Sequence, residues 1–252
     1  MKSFKKDNLT VEIYENRTLM GEAAARDIKA KIAELLSQKE EINMIFAAAP
    51  SQNDVLKALA EDKTIEWNRV NAYHMDEYTG LDKDAPQGFG NFLKAHIFGL
   101  ANFKSVNYID ISAVDPDKEA IRYSQLLLEN PTDIVVMGIG ENGHIAFNDP
   151  PVADFKDDKV VKVVKLDEIC RQQQVNDGCF KSIDDVPTHA MTLTVPTLVK
   201  APYLFCIVPC ATKANAVYET INGTIDEHCP ASVLRLQDNA KLYLDNESSK
   251  LL

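Results

Sequence analysis

The sequence predicts an α/β fold in which helices cover both faces of a mostly parallel sheet. Two observations predict it. Short apolar runs of strand length alternate with segments whose apolar residues recur at helical spacing, as in sheets built from βα units. The 252 residues are 45% hydrophobic, which is enough for a substantial core, and no shift in composition marks a linker. Residues 1–252 are therefore expected to form a single domain.

Periodicity predicts the first two elements. Residues 10–14 alternate between apolar and polar side chains, as a strand does when one of its faces is buried. Residues 18–37 place Leu19, Ala23 and Ile28 near helical spacing, with further apolar residues beyond them. The chain is thus expected to begin with a strand and a long helix that covers the sheet.

Two strands with polar ends come next. Residues 42–48 form an uninterrupted apolar run, and residues 50–54 are typical of the start of a helix. Residues 69–74 predict the following strand, which ends just before the two acids Asp76 and Glu77. Ligands of parallel sheets bind beyond the carboxyl ends of the strands, so both ends are expected to contribute to a site.

The middle of the chain continues the same alternation. Residues 89–100 and 117–129 have the spacing of helices, and residues 106–109 and 133–137 have the composition of short strands. The last of these strands leads directly into a glycine-rich loop.

The C-terminal part predicts four more strands and one helix. The strands are residues 160–164, 190–195, 203–208 and 241–244, and the helix is residues 211–221. Two polar connections, residues 153–159 and 172–180, separate some of these elements. Either connection could act as a mobile cover over a site.

Charge and composition exclude several classes of partner. The net charge of −11 opposes binding to nucleic acid or to an anionic membrane, because the summed field would repel both. No apolar window is long enough to span a bilayer or to serve as a signal peptide, so a cytoplasmic protein is expected. The five cysteines form no C-x-x-C pair and are expected to be reduced. A small anionic ligand and a homo-oligomer remain open.

The segment from Gly138 to Pro151, GIGENGHIAFNDPP, is the main candidate for chemistry. Its first six residues match the G-x-G-x-x-G pattern of dinucleotide-binding folds. That pattern requires a helix to begin at once, whereas two prolines arrive soon after Gly143 and a helix cannot run through them. No nucleotide cofactor is therefore predicted.

His144 and Asp149 lie close together in this loop. A carboxylate partner can fix the tautomer and the basicity of an imidazole, so the pair is predicted to take part in proton transfer. The other four histidines form no recognised ligand spacing with His144, and no metal site is predicted.

Charged side chains at two further places in the sequence are candidates for function. Asp76 and Glu77 are flanked by Met75 and Tyr78 at the end of an apolar strand, which favours burial and a raised pKa suited to a general base. Lys213 is predicted to lie at the start of a helix, where a cation opposes the helix dipole. An anionic ligand would explain a lysine at that position.

These residues resemble those of the glucosamine-6-phosphate deaminase/isomerase family, to which the 6-phosphogluconolactonases are related. The resemblance covers about residues 10–245 and rests on two motifs. They are Met75-Asp76-Glu77-Tyr78-x-Gly80-Leu81 and Gly138-x-Gly140-x-x-Gly143-His144-Ile145-Ala146-Phe147-Asn148-x-Pro150. The lactonase branch has an arginine after the acid pair and a threonine after the histidine. Tyr78 and Ile145 at these positions favour the deaminase branch.

The resemblance implies a Rossmann-like three-layer sandwich that converts a hexosamine 6-phosphate into a ketose phosphate and ammonia without a cofactor. It implies that Asp76 moves a proton from C2 to C1 of the opened sugar. It also implies that His144 assists ring opening and that Asp149 supports the histidine. The residues implied to bind the sugar or its phosphate are Ala49, Ser51, Glu77, Gly140, Gly143, Arg171 and Lys213.

The chain departs from the family at three places. Asn142 replaces an aspartate of the family and so removes a negative charge close to His144. Asn142 is nevertheless predicted to belong to the catalytic residues, with Asp76, His144 and Asp149. Asp149 is shorter than the family's glutamate, and residues 47–52 replace a P-T-G-x-T-P phosphate loop. Two alternatives follow: a related sugar-phosphate isomerase or lactonase, and a non-catalytic sugar-phosphate sensor.

Overall fold

The computed structural model describes residues 1–252 and contains eleven strands. They are β1 Lys2–Lys6, β2 Leu9–Tyr14, β3 Ile42–Phe46, β4 Val70–His74, β5 Asp76–Tyr78, β6 Ser105–Asn107, β7 Ile134–Met137, β8 Val161–Lys165, β9 His189–Leu193, β10 Tyr203–Val208 and β11 Ala240–Asp245. Eight of them form one sheet in the order β1-β2-β11-β10-β7-β3-β4-β6. The β1–β2 pair is antiparallel, and every other pair in this sheet is parallel. The predicted α/β class with a mostly parallel sheet is confirmed.

Seven α-helices connect the strands. They are α1 Arg17–Leu36, α2 Asn53–Glu61, α3 Phe89–Leu93, α4 Pro116–Glu129, α5 Glu168–Asn176, α6 Val195–Val199 and α7 Ala214–Asn222. Single turns of 3₁₀-helix precede α2 and α7, and α3 continues as a turn of π-helix to Phe98. None of the helices combines the length and the apolar character that crossing a membrane would require.

The large sheet separates two hydrophobic cores, which makes the fold three-layered. One core lies between the sheet and α1 and α2, and the other lies between the sheet and α4, α6 and α7. Successive residues of β7 point to opposite cores: Val136 packs in the first, and Val135 and Met137 pack in the second. A strand buried on both faces needs apolar residues at every position, which explains the continuous apolar runs of the sequence.

A second, antiparallel sheet of three strands, in the order β5-β9-β8, lies next to the carboxyl end of β4. Met75 separates β4 from β5, so the chain passes from one sheet to the other within one residue. Asp76 begins β5 opposite Thr192 of β9. The acid pair is therefore held by backbone pairing and does not lie in a loose loop.

The structure corrects the sequence-based assignment in one place and adds elements elsewhere. Residues 172–180 were predicted to be a polar connection, but α5 occupies most of that segment. The prediction was wrong because α5 is mostly polar, and its buried side chains, Cys170, Gln173 and Gln174, include two amides. The strands β1 and β5 and the short helix α6 were not predicted.

Candidate active site

A pocket lies where the carboxyl ends of β3, β4, β7 and β10 meet, as predicted for a parallel sheet. Its polar lining comes from the loops that follow these strands and from α5. The residues that line it are Ala47, Ala48, Ala49, Ser51, Gln52, Met75, Asp76, Phe89, Gly138, Ile139, Gly140, His144, Ala146, Phe147, Gln173, Gln174 and Lys213. The pocket thus gathers one carboxylate, one imidazole and one ammonium group.

Asp76 provides the carboxylate. Asp76 is 6% exposed, and its side chain makes no hydrogen bond within the protein. Burial raises the pKa of Asp76 well above its usual value, and the neighbouring charge of Glu77 adds to this shift. A carboxylate of raised pKa that faces a pocket has the basicity needed to take a proton from carbon next to a carbonyl.

Glu77 points away from the pocket. Its carboxylate accepts hydrogen bonds from the backbone N–H groups of Tyr78 (2.9 Å), Phe89 (3.0 Å) and Gly90 (2.8 Å). Burial raises the pKa of Glu77 to about 7 although these three hydrogen bonds lower it. The structure therefore places this predicted substrate-binding residue at the N-terminus of α3, where it does not line the site.

His144 is held by two oxygen atoms on one side of its ring. Its Nδ1 lies 2.7 Å from Asn142 Oδ1 and 2.9 Å from Asp149 Oδ1. Asn142 Oδ1 also accepts from the His144 backbone N–H, while Asn142 Nδ2 donates to Asp149 Oδ1 at 3.0 Å. Because both neighbours of Nδ1 are acceptors, Nδ1 carries the proton and Nε2 keeps its lone pair. Nε2 makes no hydrogen bond within the protein and is the ring atom available for proton transfer at the pocket.

Asp149 lies behind the imidazole and is almost fully buried. Burial alone would raise its pKa, but attraction to the His144 ring when that ring is protonated, together with the hydrogen bonds from His144 and Asn142, outweighs it, so the pKa lies below its ordinary value. The group therefore stays ionised and stabilises a proton on the ring. The three residues form the connected set that the sequence predicted, although only His144 lines the pocket.

Two glycines allow the loop to fold against this histidine. A Cβ atom on Gly140 would lie 2.1 Å from His144 Cε1, so only glycine leaves room for the ring. Gly143 has a φ of +83°, and a Cβ there would lie 2.7 Å from Cys229 Sγ. The glycine pattern that resembles a nucleotide fingerprint serves here to seat an imidazole.

Lys213 is the cation of the pocket. It is 5% exposed, ends the 3₁₀ turn before α7, and its ammonium group forms no ion pair within the protein. Burial lowers its pKa, against the opposing charges of Asp177 and Glu141. Ser51 and Ala49 line the same pocket beside the start of α2. A buried, unpaired ammonium group in the same pocket as a hydroxyl suits the phosphate of a ligand.

Arg171 does not join Lys213. Its guanidinium donates to the backbone carbonyls of Ile183 and Val186, at 2.5 and 2.9 Å, and it does not line the pocket. Of the seven residues predicted to bind the sugar or its phosphate, four line the pocket: Ala49, Ser51, Gly140 and Lys213. Glu77, Gly143 and Arg171 do not line it.

Helix α5 contributes two glutamines to the lining of the pocket. Gln173 Oε1 accepts from the backbone N–H of Glu141 at 2.8 Å, and Gln174 lines the cavity beside it. The space left inside is about 60 Å³, far below the roughly 300 Å³ of common small-molecule pockets. Residues 172–176 of α5 belong to the connection 172–180 that was predicted to act as a mobile cover. That movement stays a prediction.

Three polar side chains of the lining were not predicted to belong to the site: Gln52, Gln173 and Gln174. Gln52 lies in the segment predicted to start a helix after β3, so its position at a strand's carboxyl end was a usable signal. The two α5 glutamines carried no such signal, because their approach to the loop depends on how α5 packs across it.

Comparisons with known proteins agree with this geometry. Residues 15–243 match the family model described as glucosamine-6-phosphate isomerases/6-phosphogluconolactonase. A glucosamine-6-phosphate deaminase of Listeria monocytogenes is 34% identical over 212 residues, which cover 84% of this chain and 88% of that protein. One from Clostridium acetobutylicum is 29% identical over 248 residues, covering 97% of this chain and 99% of that protein.

Solved structures extend the similarity to the fold. The structure of a monomeric glucosamine-6-phosphate deaminase has a TM-score of 0.86 at 28% identity and covers 96% of this chain and 99% of its own. A 6-phosphogluconolactonase from Thermotoga maritima has a TM-score of 0.76 at 21% identity, covering 94% of this chain and 99% of its own. At that identity the second similarity concerns the fold alone.

Proposed function

We propose, since the chain belongs to the glucosamine-6-phosphate isomerase/6-phosphogluconolactonase family, that it converts glucosamine 6-phosphate into a ketose phosphate and ammonia. The observation that carries the proposal is the single pocket lined by Asp76, His144 and Lys213. It supplies a base, a proton-transfer group and a cation for the phosphate, which are the three functions that this reaction needs.

Ring opening is assigned to His144. The Nε2 lone pair would take the proton of the anomeric hydroxyl and return it to the ring oxygen, which opens the sugar to its aldehyde. During this step the ring is briefly an imidazolium, which the carboxylate of Asp149 stabilises from the Nδ1 side at 2.9 Å. Asn142 holds both partners in this orientation.

Isomerisation is assigned to Asp76. Its carboxylate would remove the proton from C2, next to the aldehyde, and return that proton to C1, while the C1 oxygen takes a proton from the substrate's own ammonium group. The double bond then joins C2 to the nitrogen as an iminium. Water adds to C2, ammonia leaves, and the ketose phosphate remains. The burial that raises the pKa of Asp76 makes it a stronger base than an exposed aspartate.

The test is an assay of purified protein with glucosamine 6-phosphate, in which ammonium and ketose phosphate are both measured. The Asp76→Asn variant should lose about 10²- to 10⁴-fold in kcat, because an amide cannot take the C2 proton. Asp158→Asn is the matched control. Asp158 is exposed and its side chain makes no hydrogen bond or ion pair, so this variant should keep wild-type turnover.

Other results would point elsewhere. Full activity in Asp76→Asn would refute the assigned base. A rise in melting temperature on adding glucosamine 6-phosphate, without any turnover, would instead indicate a sugar-phosphate sensor. Hydrolysis of a phosphorylated sugar lactone without deamination would assign the chain to the lactonase reaction.

A further inference from the structure

Cys170 lies beside the catalytic pair. The thiol of Cys170, the Asp149 carboxylate and the ring nitrogen of His144 all lie within 4.8 Å of one another, and all three residues are buried. His144 and Asp149 come from the loop after β7, whereas Cys170 comes from α5. The cluster therefore joins the loop that carries His144 to the helix that contributes Gln173 and Gln174 to the pocket.

We propose that His144, Asp149 and Cys170 form an inhibitory binding site for a thiophilic divalent cation, with Zn²⁺ as the ion of best fit. An imidazole nitrogen, a carboxylate oxygen and a thiolate sulphur make up a common donor set for Zn²⁺, whereas Mg²⁺ and Ca²⁺ prefer oxygen ligands alone. Zinc bonds of about 2.0 to 2.3 Å place tetrahedral ligands roughly 3 to 4 Å apart. The present cluster needs shifts of less than about 1–2 Å to reach that spacing.

A fourth ligand is also close by. The Asn142 Oδ1 atom lies 2.7 Å from His144 Nδ1, on the side of the ring that faces Asp149. An amide oxygen or one water molecule from the pocket would complete a tetrahedral set.

Binding exchanges protons for the ion. The Cys170 thiol loses its proton to bind as a thiolate. The single proton of the neutral His144 ring moves from Nδ1 to Nε2, which leaves the Nδ1 lone pair free to bind the ion. One proton is therefore released per ion. Affinity should therefore increase as the pH rises.

This exchange explains why the ion would inhibit. His144 Nε2 now carries a proton and can no longer accept one from the anomeric hydroxyl. The Asp149 carboxylate is then bound to the ion and can no longer stabilise an imidazolium at His144. The inhibition rests on the proposed function, whereas the binding of the ion does not.

Co²⁺ is a suitable probe, because a thiolate bound to Co²⁺ gives a charge-transfer absorption that an oxygen-only site lacks. Titration of the full-length wild-type protein should give this band with one equivalent of Co²⁺, and Zn²⁺ should remove it by competition. Cys170→Ser and Cys170→Ala should both lose the band. Cys179→Ser is the matched control and should keep it, since Cys179 lies outside the cluster.

Each outcome decides the proposal. No charge-transfer band in the wild type, or an unchanged band in both Cys170 variants, would overturn the site. If one variant fails to fold by circular dichroism, the other variant and the wild-type titration still give the answer. These optical results do not depend on whether the protein turns over glucosamine 6-phosphate.

Inhibition is measured separately where turnover is found. Zn²⁺ should inhibit the wild type and the Cys179→Ser control alike, and the apparent inhibition constant should rise at least about tenfold in Cys170→Ser. Equal inhibition of all three proteins would refute the inhibitory role even if Co²⁺ binds. Absence of turnover in the wild type would refute the proposed function and leave the binding result intact.

Discussion

At the scale of single residues, the orientation of His144 depends on the amide of Asn142. Asn142 both accepts from His144 and donates to Asp149, which a carboxylate could not do. Two carboxylates at the 3.0 Å that separates Asn142 from Asp149 would repel each other. The amide therefore allows the Asp149 carboxylate to approach the imidazole closely.

Gly140 gives a prediction at this scale. A methyl group in Gly140→Ala would lie 2.1 to 2.3 Å from three ring atoms of His144, so the ring must turn away from Asp149. The φ of Gly140 lies outside the left-handed region, so alanine adds no backbone strain. We expect kcat to fall by about 10²-fold or more, since a general acid–base group contributes about that much when well placed. Circular dichroism should show an unchanged fold.

A double-mutant cycle separates this effect from a general disturbance of the loop. If Gly140 acts through the ring, then Gly140→Ala should cost nothing further in a His144→Ala background. Additive losses in the double variant would show that the glycine has another role.

At the scale of elements, β5 and α3 are joined through one side chain. Glu77 on β5 accepts from two N–H groups in the first turn of α3, which otherwise lack partners within the helix. The negative charge also suits the positive end of the helix dipole. Since Asp76 precedes Glu77 on the same strand, this contact fixes the backbone that carries the proposed base.

Glu77→Gln should destabilise the protein and change its pH profile. The amide places an N–H₂ group against one of the backbone N–H donors, and an unsatisfied buried donor costs about 1–3 kcal/mol in the free energy of unfolding. Urea denaturation measures this loss. Loss of the Glu77 charge also removes one of the two causes that raise the pKa of Asp76. The acid limb of kcat/KM should therefore move to lower pH.

Glu129→Gln is the control for this pair of measurements. Glu129 is exposed at the end of α4 and its side chain makes no hydrogen bond or ion pair, so the change should stay within about 0.5 kcal/mol and leave the pH profile unaltered. A Glu77→Gln variant as stable as this control would contradict the proposed role of the Glu77 carboxylate in anchoring α3.

At the scale of the whole molecule, most of the large sheet could be predicted because its central strands are almost entirely apolar. Buried parallel strands such as β3, β7 and β10 leave a continuous signal, and the polar ends of such strands located Asp76 and the loop of His144. The small sheet left no comparable signal, since alternation within β8 and β9 does not reveal which strand pairs with which.

The sequence also did not predict the directions in which some charged side chains point. Glu77 and Arg171 are charged residues near the site, and their sequence context gave no indication that each would bond to backbone groups instead of facing the pocket. Both outcomes depend on neighbours far along the chain, α3 for Glu77 and residues 183–186 for Arg171. Cys170 joined the catalytic cluster for the same reason, since it approaches Asp149 only when α5 packs on the loop.

The stability of the whole fold should depend on pH through His74. This residue is fully buried between the two sheets: its Nδ1 lies 2.9 Å from the Asp76 carbonyl oxygen, and its Nε2 lies 2.9 Å from the Ile109 backbone nitrogen. Nδ1 therefore donates and Nε2 accepts, which requires a neutral ring. Burial lowers the pKa of His74 from 6.5 to about 4. In an imidazolium, the Nε2–H would face the Ile109 backbone N–H, and both donors would lack an acceptor.

The sign of the effect follows from proton binding. Between pH 6.5 and 4 the unfolded chain protonates this histidine while the folded chain does not, so the stabilisation present above pH 6.5 is lost as the pH falls. The loss amounts to about 3 kcal/mol at pH 4. His74→Gln, which does not titrate, should be less stable than the wild type at pH 7, and this difference should shrink by about that amount by pH 4. Urea denaturation over this range measures it, with His228→Gln as control because the His228 side chain is 97% exposed. A constant difference between wild type and His74→Gln would show that His74 does not contribute to acid sensitivity.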